Sequence, residues 1–564
     1  MRRHRRRLAL LGTSAVLVLT GALAACSGAN STGSSAATVS GTTAASDGGT
    51  LTILDSDTSL TLDPAQSWSL AITTSGLTWR RLTTWKIGPT GTPEVVPDLA
   101  TSGGTPSEGG RVWTYHLKSG IDFSDGEPIT SYDVKYGIER TYATALSGGL
   151  NYQKPLIAGT AGYTGPFSGK QLSSIQTPNA TTIVFHLNQP YGDWPWVVST
   201  TSLAPVPAGK APAATFGQHP ITSGPYTVQS YTPGVSAVLV RNKYWTAASD
   251  PNRTAGPDKI VIELNQDPTV EAQTLIANGP NAQDAFGADF VPPAQLAQVE
   301  NDQSARSRLV TSPASPLEYL AVNVQSPRLK NLKVREALEY AVNREAVIIA
   351  SGGTVAAEPA TTLITPGIAG RVAYDLYPVG LTGDPAKAKS LLAQAGVQGL
   401  TLTLATGNDP ISTAIAQAVQ EAYKTAGINV VIKSLSSSAY TPLVTGNSAG
   451  GYDLAVSSWQ PDFPSAMDNI EPLFSSAMIG NGNYNISRLA DPTVDALITK
   501  AEGTIDATAA GAIWAQADKA ILADAAVVPL VYNKNSFLRG SNVQNFYIGE
   551  FPAYPVYTAV TLGQ

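Results

Sequence analysis

Segments of strand period and segments of helix period alternate along almost the whole of this chain. That alternation constrains the fold more than any other feature, because it requires helices layered on sheet, an α/β architecture. Leu51 to Leu54 reads as a first strand, and Leu62-Asp63-Pro64 then turns the chain toward Trp68, Trp79 and Trp85, three tryptophans that can line a pocket or fill a core. Arg111 to Lys118 sets Val112, Thr114 and His116 against Trp113, Tyr115 and Leu117, the pattern of a half-buried strand. Asp125-Gly126 supplies a tight turn, and Thr130 to Asp133 has capping-box spacing before a helix containing Val134, Ile138 and Tyr142. A strand over Tyr319 to Val324 ends near Asn323 and leads to a helix with a face of Val334, Ala337, Leu338, Ala341 and Val342. Further on, Asp384 is an N-cap, Pro385 opens a helix, Ala388, Leu391, Leu392 and Ala395 form its face, and Gly396 stops it. At 564 residues the chain exceeds one ordinary domain, and the size prior gives roughly two to four lobes with substantial cores.

The N-terminus is not part of that alternation. A basic head, an apolar run from Leu8 to Ala25 and a small-residue end form the three-part plan of an export signal over residues 1–25. An uncleaved anchor has a similar apolar run, but Leu23-Ala24-Ala25-Cys26 resembles the bacterial lipobox, in which the cysteine is acylated and becomes the first residue; Cys26 is also the only cysteine. Acyl chains there would hold the protein to the outer face of the cell membrane, each buried CH2 contributing about 0.8 kcal/mol. The paired arginines ahead of Leu8 faintly resemble a twin-arginine signal, so the export route stays open. Ser27 to Gly49, nearly free of charge and large apolar groups, reads with Cys26 as a flexible tether over 26–49.

Removing residues 1–25 takes away five arginines and no acid, leaving 31 basic residues against 42 acidic ones, a formal charge of −11. No basic cluster survives in the exported body, which argues against nucleic acid as a partner.

The stretch Tyr452 to Asn469 carries the most suggestive chemistry. Leu454 and Val456 alternate with smaller or polar residues, and Pro461 and Pro464 forbid continuation, so Trp459 and Asp462 fall where strand gives way to loop. A carboxylate in a partly dry site interacts strongly with an ammonium, and an indole beside it excludes water. The same residues also fit a buried tryptophan followed by an ordinary Asp-Pro turn.

At this point a family resemblance becomes specific. LATSGGTPSEGGRVWTYHLKSGIDFSDGEPITSYDVKYGIERTYA (residues 99–143) resembles the signature region of solute-binding family 5, the peptide- and nickel-binding receptors of ABC transporters. The likeness continues in order through residues 221–245, 320–348 and 384–396 to the stretch at 452–469, covering about residues 50–560. It implies a periplasmic-binding-protein-like fold of the cluster C type, two hinged α/β lobes with an extra third lobe. The implied division is 50–88, 196–315 and 520–564 for lobe I, 89–195 for the extra lobe II, and 316–519 for lobe III. It also implies capture of a small ligand, an oligopeptide or dipeptide foremost, between two lobes, with delivery to ABC permease subunits by a monomeric binding protein. On the same resemblance Asp462 corresponds to the acid that pairs with a peptide's α-ammonium, with Trp459 beside it; Trp68, Asn323, Arg371 and Tyr374 are further cleft candidates. Gln460-Pro461 between Trp and Asp, and Phe463 in place of the usual tyrosine, depart from the common pattern and leave the ligand open: nickel chelates and sugars are other cargoes of such scaffolds.

Three enzyme-like features stand in the chain, and none is complete. Gly446 to Gly450 fits G-x-S-x-G, but a probable strand follows it instead of a helix and no histidine lies beyond His219, so a hydrolase order of Ser, Asp, His is not completed. His116, His186 and His219 lack metal-ligand spacing, and Gly165 to Lys170 is one residue short of a phosphate loop. The expectation is therefore a binding protein with no catalytic residue, metal or cofactor; a surface signalling receptor on the same fold is the alternative.

Overall fold

The computed structural model describes residues 45–46, 48–68 and 74–563. The leader, Cys26 and the tether up to residue 44 lie outside the described residues. The end of the expected tether is paired: strand Ala45–Ser46 lies antiparallel to Thr561–Gly563, and the Gly48 N–H donates to the Gly256 carbonyl at 2.8 Å. Backbone pairing needs no large side chain, so a small-residue run that reads as linker can still end as an edge strand.

Two mixed sheets carry the body. The first runs in the order Ala285–Gly287, Thr50–Leu54, Lys259–Glu263, Ser236–Arg241, Tyr226–Thr232, parallel across the first three strands and antiparallel beyond. The second runs Ala357–Pro359, Val527–Asn533, Leu317–Val322, Leu454–Trp459, Thr401–Gly407, Asn429–Leu435, with its last three strands parallel. Strand alternation sorts the second sheet's side chains onto two buried faces. Leu320, Val322, Leu404, Leu454 and Val456 meet helices Leu332–Ala341, Pro385–Gln394 and Pro410–Thr425. Tyr319, Ala321, Ala405 and Ala455 face the largest core, which includes Trp514 and Ile521 of helix Ala507–Ala523. The cap at Asp384 forms as its sequence dictates, its Oδ1 accepting from the Lys387 N–H at 2.8 Å.

The chain passes between the two sheets twice, and the passages lie side by side. Leu309–Thr311 pairs with Ser536–Leu538 in a short ribbon, and a few residues on Leu317–Val322 pairs with Val527–Asn533 inside the second sheet.

A four-stranded antiparallel sheet, in the order Thr105–Ser107, Val112–His116, Thr182–His186, Ile175–Asn179, is inserted early in the chain. Its Trp113, Tyr115, Ile183 and Phe185 belong to the same continuous core as Trp514. Ion pairs without solvent exposure tie the segments that flank this insertion: Arg80 Nε lies 2.8 Å from Asp98, and Arg253 reaches Asp98 at 2.8 Å and Asp250 at 2.9 Å. Burial opposes ionisation of Asp98, but Arg253 and Arg80 outweigh it and hold the carboxyl below the usual range. Helix Ser131–Arg140 is anchored by Arg140, whose two terminal nitrogens donate to the Asp63 carboxylate at 2.9 and 2.7 Å. Among the described residues, no helix is long and apolar enough to cross a membrane.

Candidate ligand-binding site

Trp459 ends the strand Leu454–Trp459 at its carboxyl end, the side on which open α/β sheets place their ligand crevices. Pro461 and Pro464 stop the ladder, and helix Met467–Phe474 begins just after. The turn is closed by Asp468: the Asp462 N–H donates to its carboxylate, and Trp459 Nε1–H donates to its carbonyl at 2.7 Å. Tyr152, from a distant part of the chain, places its Oη 2.5 Å from Asp462 Oδ2 and 2.8 Å from Asp468 Oδ1. A phenol has one proton, so it donates to only one carboxyl at a time. Burial pushes the Asp462 carboxyl up, burial and the neighbouring Asp462 push Asp468 well up, and burial with both carboxylates raises the Tyr152 phenol far above its ordinary value. Two acids held together in a dry site favour a proton or a cation between them.

Tyr152, Trp459 and Asp462 line a cavity of about 700 Å³. Leu150, Leu156, Met467, Met478, Tyr484 and Ile498 supply apolar wall, with the Trp459 and Tyr484 rings 5.3 Å apart. Among the described residues the charged part of the lining is wholly acidic: Asp462, Glu471, Asp495 and Glu502, with no lysine, arginine or histidine. Asp495, Ile498, Thr499 and Glu502 reach the cavity because they share one face of helix Pro492–Glu502. Burial pushes Glu471 up to about 7; burial, then Glu471 and Asp193, push Glu502 up to about 8.

Of the residues singled out from sequence, the fold brings Trp68, Trp459 and Asp462 to this cavity. Trp68 is 65% exposed there, whereas Trp79 and Trp85 are core at 2% and 5%. The Trp68 segment is held by a glycine loop: the Leu150 N–H donates to the Ser67 carbonyl at 3.2 Å, and Gly149 has φ +69° where a Cβ would come within 2.8 Å of the Ala65 carbonyl.

Asn323, Arg371 and Tyr374 do not line the cavity, and each has partners elsewhere. The buried Asn323 amide donates to the carbonyls of Ala449 and Tyr452 at 2.9 and 3.0 Å. Arg371 donates from Nε to the Ile364 carbonyl at 3.1 Å and lies 5.5 Å from the Tyr532 ring centre. Tyr374 donates to Asp518 at 2.9 Å. The last two stand in a Gly/Pro-rich stretch with no periodicity to place it. Tyr152, Glu471 and Glu502 were not foreseen; the helical spacing of Asp495, Ile498 and Glu502 was the one local signal of a shared face.

The G-x-S-x-G motif lies after helix Ser437–Thr445 and before strand Leu454–Trp459, the reverse of a nucleophile elbow, and Ser448 Oγ accepts from the Gly450 N–H at 3.2 Å. His116 and His186 sit on neighbouring strands, with His116 Nδ1 3.2 Å from Thr182 Oγ1. Among the described residues, no group of three His, Cys, Asp or Glu side chains has metal-holding geometry.

Two mixed sheets joined by adjacent crossings, with an aromatic and acidic cavity beyond a strand end, define an α/β binding protein of the periplasmic type. Residues 94–481 match the profile of the bacterial extracellular solute-binding proteins, family 5, and the chain belongs to that family of ABC-transporter substrate-binding proteins. It is 32% identical to the solved clavulanic acid biosynthesis oligopeptide binding protein 2, with a TM-score of 0.87 over 92% of this chain and 96% of that one. It is 26% identical over 462 residues to the glutathione-binding protein GsiB of Salmonella paratyphi A, covering 80% of this chain and 84% of the relative. The periplasmic binding protein DppA from Helicobacter pylori, solved with the peptide STSA, shares the fold at 23% identity and a TM-score of 0.69 over 92% of this chain and 99% of that one.

Proposed function

We propose that this protein is an extracytoplasmic lipoprotein, anchored through Cys26, that captures a short peptide by its free α-ammonium and delivers it to an ABC permease. The observation that carries the ligand reading is the Tyr152, Asp462 and Asp468 group at the wall of an aromatic cavity whose lining, among the described residues, holds no basic side chain. An ammonium entering there meets a carboxylate that is already desolvated and a phenol able to reorient toward either acid. The name of the 32%-identical relative supports an oligopeptide cargo. The name of the glutathione-binding relative fits less well, since glutathione brings two carboxylates to a wall that is already acidic.

Closure follows from the same reading. The paired crossings at residues 312–316 and 534–535 serve as the hinge between the lobes built on the two main sheets, and affinity depends on contacts available only when the lobes meet. The boundary expected at 520 falls inside helix Ala507–Ala523, so a division just after Asn533 fits the strand pairing better.

Native mass spectrometry of ligand retained by the purified protein, with calorimetry of tri-alanine and N-acetyl-tri-alanine, tests the reading. A retained peptide and a strong preference for the free amine are expected. A retained ligand without an amine, together with no heat from tri-alanine, overturns it.

A further inference from the structure

The cavity has a second acidic wall that an α-ammonium alone leaves unused. Glu471 follows Asp468 by three residues on helix Met467–Phe474, and Glu502 ends the helix Pro492–Glu502. Glu471 is only partly exposed and lines the cavity, yet among the described residues no hydrogen bond or ion pair reaches its carboxyl. Glu502 has one neutral partner, Gln189 Nε2 at 3.2 Å. The neighbouring groups are acidic too. Asp193 accepts from Ser465 Oγ at 2.6 Å, Asp495 accepts from the Ser476 N–H and Oγ at 2.9 and 2.6 Å, and Tyr191 is a buried phenol near Asp193, Glu502, Glu471 and Asp468. An enclosed carboxyl without a partner costs stability, and here it opens onto a cavity large enough for a ligand. Metal binding does not account for it, because no acidic group of metal-holding geometry exists among the described residues.

We propose that Glu471 and Glu502 form a subsite for a second positive charge, so that the cavity selects peptides whose first residue carries a cationic side chain. The proposal rests on the peptide reading above and adds its specificity. Side chains three residues apart on a helix have Cβ atoms about 5–6 Å apart, so the subsite lies about one turn from the Asp462 and Asp468 pair, a span within reach of a basic side chain. Lysine and arginine share the chemistry of this subsite. With Glu471 near 7 and Glu502 near 8, both are partly protonated at neutral pH, so an entering cation drives protons off them.

The test is calorimetry of the purified protein at pH 7.5 with Lys-Ala, norleucine-Ala and Ala-Ala, in two buffers of different ionisation heat. Lys-Ala is expected to bind about tenfold or more tighter than norleucine-Ala, with more protons released by Lys-Ala than by norleucine-Ala or Ala-Ala. Glu471→Gln and Glu502→Gln should each reduce the ratio of Lys-Ala to norleucine-Ala affinity to about threefold or less. Equal binding of Lys-Ala and norleucine-Ala overturns the subsite and leaves the peptide reading standing. A lysine preference that survives both substitutions also overturns it. Failure of all three peptides to bind overturns the subsite, and failure of tri-alanine to bind as well overturns the peptide reading with it. The wild-type comparison decides the matter even if a variant does not fold.

Discussion

Replacing Asp462 with asparagine keeps the shape of the turn and an acceptor for Tyr152 while removing one charge from a crowded acidic site. Without ligand the effects oppose each other. A hydrogen bond to a charged group contributes about 1.5–3 kcal/mol and a neutral one about 0.5–1.5, so weakening the 2.5 Å contact with Tyr152 costs on the order of 1 kcal/mol. Relief from repulsion by the buried Asp468 offsets much of that loss. The melting temperature without ligand should therefore stay within about 3 °C of wild type. With ligand there is no such offset. Truncating one member of a buried charge pair costs about 2–5 kcal/mol, and because Asp468 remains beside the same phenol the loss should lie near the lower end, about 2–3 kcal/mol. That corresponds to about thirtyfold to 150-fold weaker binding of tri-alanine. N-acetyl-tri-alanine, lacking the ammonium, should bind wild type weakly and lose little more in the variant. Isothermal titration of both peptides against both proteins provides the measurement. Equal affinity in all four combinations refutes the ammonium site, and equal losses for the two peptides would show that the substitution disturbed the cavity wall instead of removing a charge partner.

Asp193 near 6, Glu471 near 7 and Glu502 near 8 all lie above their ordinary values of 3.8 and 4.5, so the folded state holds protons that the unfolded state has released. Their contribution is complete below about pH 4 and lost as pH rises through 6 to 8, so the melting temperature without ligand should fall from pH 5 to pH 8; a flat or rising profile counts against this. Asp98→Asn leaves the buried Arg80 and Arg253 short of an anion and should cost about 3–5 kcal/mol, read from the urea midpoint; a loss under 1 kcal/mol would show that the network is not held by charge. Cys26→Ala should release the protein from the membrane fraction or leave an unprocessed precursor, and unchanged membrane retention with a mature N-terminus elsewhere defeats the anchor reading.

What the sequence determined by itself is the local grammar. Asp384 caps and Pro385 opens the expected helix, Val112–His116 forms the expected half-buried strand, and Leu454 and Val456 point into a core until two prolines end their strand. These features depend on residues a few positions apart, so periodicity and turn chemistry suffice to read them. Trp459 and Asp462 were legible for the same reason, because a strand end is a local event. Tyr152 was not: it lies 310 residues from the carboxylate it binds, and nothing in its Gly-rich surroundings names that partner. Asn323 shows the converse, a strand-end amide open to either role until the loop carrying Ala449 and Tyr452 closed over it. Periodicity states which face of an element is buried, but which faces meet depends on how distant segments dock. The acidity of the site was likewise decided by tertiary structure: burial raises Glu471, and burial together with Glu471 and Asp193 raises Glu502, in a cavity lining without a base among the described residues.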